Sequence, residues 1–262
     1  MYAVDIAQSG EAVPQYRMVT NSDKQKLRTY LDSLPQERQL ATCIEAICAV
    51  LNKRNAYASS EIHAYVRRVV DGLHSDDLLA MLTAKEAYAK KIQDKIDTLA
   101  AAYKQKKFLQ QFDEGLLECW ERYELPAFIT PLDVTDSLPK ALYEAEKDDM
   151  NEYERKVLDV IISQENVLWW HRIIERQDFC INGFINHYPD FMVLTRRGKL
   201  LLVEAKGDHL ANEDSLRKLE LGRKWQEAAG RDYRYLMVFE KKDFAHDGAY
   251  TLGEFAEVLK KL

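Results

Sequence analysis

The chain has 262 residues, 47% of them apolar, with 37 basic against 43 acidic side chains and a formal net charge of −6. That length allows one or two domains with a substantial core, the apolar content is ordinary for a soluble protein, and no internal repeat or low-complexity segment appears. The acidic balance excludes a surface coated in nucleic-acid-binding residues, although from Met150 onward the counts are 18 basic against 19 acidic, which leaves room for a local basic face.

No apolar run approaches bilayer length, and the amino terminus lacks a charged-then-apolar profile, so no membrane association and a cytoplasmic location are expected. Cys43, Cys48, Cys119 and Cys180 have neither Cys-x-x-Cys spacing nor histidines at zinc-finger distance, which points to free thiols.

In chain order, residues 1–20 carry a short apolar start, Met1 to Ile6, and the breakers Gly10 and Pro14, so an edge strand or an unstructured lead is expected. Helical periodicity begins after Ser22, with one helix at Asp23 to Leu34 and another at Glu37 to Leu51, striped by Leu40, Cys43, Ile44, Ile47 and Leu51. Further helices are expected at Ser59 to Leu73 and from Ser75 to Phe112, the latter broken or continuous. Asp76 and Asp77 suit the first turn of that segment. Its stripe reads Leu78, Leu82, Ala89, Ile92, Ile96, Leu99 and Tyr103. The basic run Lys104-Gln105-Lys106-Lys107 reads as a solvated face before it reads as a phosphate contact. Pro126, Pro131 and Pro139 then mark an irregular connector, and a domain boundary is expected near residue 145, giving 1–145 as a mostly helical coupling or docking region and 146–262 as a second domain.

The second part mixes elements. Asn151 to Ser163 is a helix by its apolar spacing, Val167 to Ile174 and Phe179 to Asn186 read as strands, and Phe191-Met192-Val193-Leu194 and Leu200-Leu201-Leu202-Val203 read as a hairpin. Asp214 to Ala229 is a helix stopped by Gly230, Tyr233 to Glu240 is a strand, and Thr251-Leu252-Gly253-Glu254 opens a last helix as a capping box. The fold class is therefore α/β (α+β), a helical N-terminal region followed by a mixed sheet flanked by helices.

The hairpin carries the chemistry. A three-residue loop Arg196-Arg197-Gly198, with Gly198 in the left-handed region, pairs Thr195 with Lys199 and Leu194 with Leu200. Counting outward places Asp190 opposite Glu204, where cross-strand Cβ atoms lie about 4.5–5.5 Å apart, and strand alternation puts Lys206 on the same face. A two-residue loop would shift the register by one and split the trio between faces. Charged groups beside apolar strands must neutralise one another or hold a cation, and two carboxylates suit an oxygen-seeking ion such as Mg²⁺. The competing reading is a salt-bridged hairpin, with Asp190 and Glu204 paired to Lys206 or Arg172.

Pro189-Asp190 followed by Glu204-Ala205-Lys206 resembles the PD-(D/E)xK nuclease signature. With Tyr188, Phe191, Val203, Gly207, Asp208 and Gly222-x-x-Trp225, residues 150–262 resemble the C-terminal nuclease region of type III restriction enzymes and helicase-associated defence proteins. The resemblance implies a PD-(D/E)xK fold and a Mg²⁺-dependent DNA endonuclease (Mn²⁺ as a substitute) in which Asp190, Glu204 and the backbone carbonyl of Ala205 hold the metal and Lys206 positions the attacking water. Members of that family often supply a further carboxylate from the first helix, here Glu152 or Glu154. Lys218, Lys224 and Arg172 are candidate nucleic-acid contacts. The tryptophans and His171 in Trp169-Trp170-His171-Arg172 are candidates for stacking or phosphate contact, and His187 and His209 flank the signature without a required role as base.

No Gly-x-x-x-x-Gly-Lys-Ser/Thr loop is present, so a helicase or translocase partner, or a longer parent protein, is expected to supply the motor. A homodimer or paired complex is the geometric expectation for cutting both strands. Two other readings stay open: a binding or docking module without turnover, and an RNase using the same site.

Overall fold

The computed structural model describes residues 2–4, 14–16, 20–54, 57–120, 122–207, 212–240 and 246–262. It is a mixed α/β protein with eight α-helices and a five-stranded mixed sheet among the described residues. The chain divides into two compact units, 1–102 and 103–262.

The first unit pairs two short strands, β1 (Tyr2–Val4) and β2 (Pro14–Tyr16), so the expected edge strand is a two-stranded ladder. Helices α1 (Asn21–Asp32), α2 (Gln36–Leu51), α3 (Ser59–Val70), α4 (Ser75–Thr83) and the start of α5 (Lys85–Asp113) follow, with a 3₁₀ turn at Asn52–Arg54. Thr20 caps α1 by accepting from the Asp23 N–H, and Asp23 answers by accepting from the Thr20 N–H. The core gathers Cys43, Ile47, Leu51, Leu78 and Ala89 from the stripes that sequence periodicity selects, together with Val66 and Val70 of α3. The long helical segment is broken at Ala84, and the outer end of its stripe, Leu99 and Tyr103, is exposed.

In the second unit, α6 (Glu152–Ser163) leads into a sheet of order β3-β6-β7-β8-β9: β3 (Val167–Arg172), β6 (Phe191–Thr195), β7 (Leu200–Lys206), β8 (Tyr233–Phe239) and β9 (Ala249–Thr251). The β3-β6-β7 strands are antiparallel; β8 and β9 join in parallel, β8 after the crossover helix α7 (Glu213–Ala229), and α8 (Leu252–Lys261) closes the chain. Period-two alternation sorts the strands' side chains. Phe191, Val193, Leu201, Val203, Leu236 and Val238 pack on α6 and α8, while Met192, Leu202, Tyr235, Met237 and Phe239 pack beneath α7.

One expectation is corrected. Phe179 to Asn186 is not a strand of the main sheet: Ile181–Asn182 (β4) pairs with Asn186–His187 (β5) around a turn in which the Gly183 N–H donates to the Ile185 carbonyl. A Cβ on Gly183 would lie 2.5 Å from Leu221 Cδ1, so glycine lets this turn pack on α7. The compact units divide after Ala102, and the irregular connector is stitched to β3. The Leu142 N–H donates to the Trp170 carbonyl, and the Trp170 N–H to that of Lys140. All four cysteines are free, and among the described residues no helix is long and apolar enough to cross a membrane.

Candidate active site at one end of the sheet

The β6–β7 turn closes as the residues dictate. Gly198 takes φ +75°, its N–H donates to the Thr195 carbonyl, and the Thr195 N–H donates to that of Lys199. Leu194 therefore pairs with Leu200, and the ladder continues to Phe191 opposite Val203. One step further, Asp190 meets the end of β7, where its Oδ2 accepts from the Ala205 N–H at 2.7 Å.

Three strands deliver charge to this end of the sheet: Arg172 closes β3, Asp190 precedes β6, and Glu204 and Lys206 end β7. Lys206 Nζ lies 2.8 Å from Glu204 Oε1, and Lys218 Nζ from α7 reaches the same oxygen at 3.4 Å. Glu204 is 3% and Lys206 8% exposed. The charges of Glu204 and Asp214 raise the Lys218 ammonium above its ordinary value against the opposing effect of burial. Burial, with the Glu204 charge beside it, raises the Asp190 carboxyl, opposed by Arg172 and the Ala205 N–H.

Arg172 is buried under this cluster, and its fork is divided among three acids: Nε to Asp149 at 3.0 Å, Nη2 to Glu154 at 3.1 Å and Nη1 to Asp190 at 2.9 Å. Its guanidinium also sits 5.2 Å from the centre of the Phe191 ring. The structure therefore places Arg172, a candidate nucleic-acid contact, inside the cluster with its guanidinium bonded to three acids. Glu154 is drawn in because Asn151 caps α6 and Glu154 returns the capping bond to the Asn151 N–H, which aims its carboxylate at Arg172. Burial and the Asp190 charge raise its pKa. Glu152 is exposed and pairs with Lys156, so of the two helix acids the structure brings only Glu154 to the cluster. Lys224 also stands apart. It pairs with Asp113 and Glu227 and lies 4.4 Å over the Phe112 ring. Asp208 and His209 lie outside the described residues.

Sequence reasoning gave His187 no role, yet it is buried beside Glu204. Its Nε2 is 2.7 Å from the Tyr235 hydroxyl and 3.9 Å from Glu204 Oε2. Burial, reinforced by Lys218 and Lys206, pushes its pKa down to about 3, so the ring is neutral. His171, a stacking or phosphate candidate, is fully enclosed. Its Nδ1 meets Glu146 at 2.8 Å and its Nε2 meets Asp178, while Glu146 also accepts from the Arg172 N–H. Those two carboxylates outweigh burial and push His171 up to about 9, making it a structural imidazolium. The signal for it was a histidine and an arginine in succession ending a strand of otherwise apolar character. Trp170 is fully buried, with its indole N–H on the Pro139 carbonyl.

The donor chemistry suits a hard cation. Glu204 Oε2 is buried without a hydrogen-bond partner, and Asp190 is a carboxylate whose oxygens each keep accepting capacity. The chain's own set is small, because among the described residues no group of three or more His, Cys, Asp or Glu is placed to hold a metal. The same residues also form the salt-bridged network that is the alternative to a metal site. Compared with known proteins, the chain matches no family model, no curated protein and no solved structure.

Proposed function

We propose that this protein is a Mg²⁺-dependent endonuclease of PD-(D/E)xK type that hydrolyses DNA phosphodiesters. The observation that carries the reading is the hairpin register, which sets Asp190 against the Glu204-Ala205 end of β7 with Lys206 2.8 Å from Glu204 at a buried sheet end. Helix, antiparallel strands, crossover helix and parallel strand agree with the fold this signature implies.

Asp190, Glu204 and the Ala205 carbonyl would hold the metal, with Mn²⁺ as a substitute for Mg²⁺. When bound, the ion supplies charge stabilisation at the phosphate. The protein's own groups do the remaining work. Lys206 releases Glu204 and holds the attacking water by a hydrogen bond. Lys218, a second ammonium at the same oxygen, meets a phosphate oxygen. Arg172 fixes the Asp190 rotamer, and Glu154 balances Arg172 from the other side. A separate motor, a helicase or translocase, would deliver the substrate, and a homodimer or paired complex would cut the second strand.

The test is incubation of the purified chain with plasmid, single-stranded DNA and RNA, in Mg²⁺, Mn²⁺ or EDTA, beside Lys206→Ala and Asp190→Ala. Metal-dependent DNA cutting lost in both variants is expected. RNA cutting alone would reassign the substrate. Binding without cutting under any condition would favour the salt-bridged network as the cluster's whole role, in a docking module.

A further inference from the structure

After Asp113, the last residue of α5, the described residues as far as Asp136 hold neither helix nor strand beyond a single bridge of Val134 to Lys147. Residues 113–136 contain seven carboxylates and one arginine and so carry a charge of −6, the formal net charge of the entire protein; the remaining residues balance at 36 acidic and 36 basic.

The stretch is nevertheless anchored. Tyr123 donates to Asp178 at 3.1 Å and stands edge-on to Phe179, the Pro126 carbonyl accepts from the Tyr143 hydroxyl at 2.6 Å, and the buried Thr135 bonds to Glu146 through its N–H. Before and between these anchors large apolar side chains are left outside: Trp120, ahead of Tyr123, is 94%, Phe128 74% and Leu132 101% exposed. A solvated linker would need no such residues, and a pinned one exposes them at a standing cost. Two aromatics alone can bury about 300–500 Å² on contact, against the roughly 800 Å² per partner of a standard interface.

We infer that residues 113–136 are a docking strip for a folded protein surface that offers apolar pockets rimmed by lysines and arginines. The charge selects this occupant. Phosphate backbones are repelled by a −6 segment, and strip-to-strip pairing of two copies brings like charges together. Trp120 is the expected anchor, since buried tryptophans dominate interface energetics. This inference does not rest on the nuclease reading.

The experiment measures fluorescence anisotropy of the whole chain with an amphipathic leucine–lysine helical peptide and with its leucine–glutamate counterpart. The expected result is binding of the basic peptide only. It should weaken at least tenfold in the triple variant Trp120→Ser, Phe128→Ser, Leu132→Ser and in the charge reversal Glu118→Lys, Asp133→Lys, Asp136→Lys. It should be unchanged by Glu37→Lys with Glu45→Lys, exposed acids of the first unit. The triple variant alters only exposed side chains, and its circular dichroism spectrum should match the wild type. Equal affinity for both peptides, or wild-type binding by the triple variant, would overturn the inference. So would displacement of the peptide by single-stranded DNA, or a wild-type dimer in sedimentation that the triple variant dissolves.

Discussion

Gly222 on α7 lies against the ring of Tyr235 so closely that a Cβ there would sit 2.4 Å from two ring carbons. The approach lets the Tyr235 hydroxyl reach His187, which in turn lies beside Glu204. Gly222→Ala must push the ring or the helix aside. The overpacking penalty of about 1–3 kcal/mol exceeds the roughly 1 kcal/mol that alanine gains in a helix, and the melting temperature should fall by about 2–6 °C. A scanning-calorimetry trace with an unchanged or raised midpoint would show that α7 yields at no cost.

Arg172 is the cation shared by Asp149, Glu154 and Asp190. Arg172→Met leaves these acids without their shared cation, and a loss of about 3–5 kcal/mol is expected in urea unfolding. Arg172→Lys should recover only part of it, since a single ammonium cannot reproduce a fork spread over three carboxylates. Equal stability of the lysine variant and the wild type would mean that charge alone suffices.

Within the nuclease reading, Glu154 and Glu152 separate cleanly. Glu154→Gln weakens the brace on Arg172 and should lower the cleavage rate by about tenfold, on the order of 1.4 kcal/mol. Glu152→Gln touches only an exposed pair with Lys156 and should leave the rate unchanged. Single-turnover assays at saturating Mg²⁺ measure both, and the reverse order would remove Glu154 from the site.

His171 sets a pH dependence of stability. Its folded-state pKa of about 9 stands above the ordinary 6.5, so its contribution is fully present below pH 6.5 and is lost as pH rises toward 9. Unfolding free energy should therefore fall across that window, by at most about 3.5 kcal/mol at 1.4 kcal/mol per unit. His171→Gln should be less stable at pH 6.5 and should flatten the slope. A slope that persists in the variant would place the titration elsewhere.

The hairpin was legible in the sequence because a three-residue loop ending in glycine fixes the register, and register alone decides which side chains share a face. The helices of the first unit were legible from periodicity, as was the capping box opening α8. Other features depend on contacts that are remote in sequence. His171 reads as a surface candidate until Glu146 and Asp178, 25 and 7 residues away, are brought to its two nitrogens. Strand β9 is three residues long, too short for a period to register, and exists because β8 offers it an edge. Phe179 to Asn186 has strand-like composition, but Gly183 turns it against α7 before it can extend.

The two ammonium groups on Glu204 bear on how the folded protein would receive a divalent cation. Lys206 and Lys218 already sit as counterions on Glu204, so an incoming ion would have to exchange with them. On the nuclease reading the metal-free chain should fold, and chelator should remove only the stabilisation that bound metal adds. Loading would register in calorimetry as a swap of partners, with modest heat and little change of shape. On the same reading, the lysines displaced in that swap would be the groups left facing the substrate.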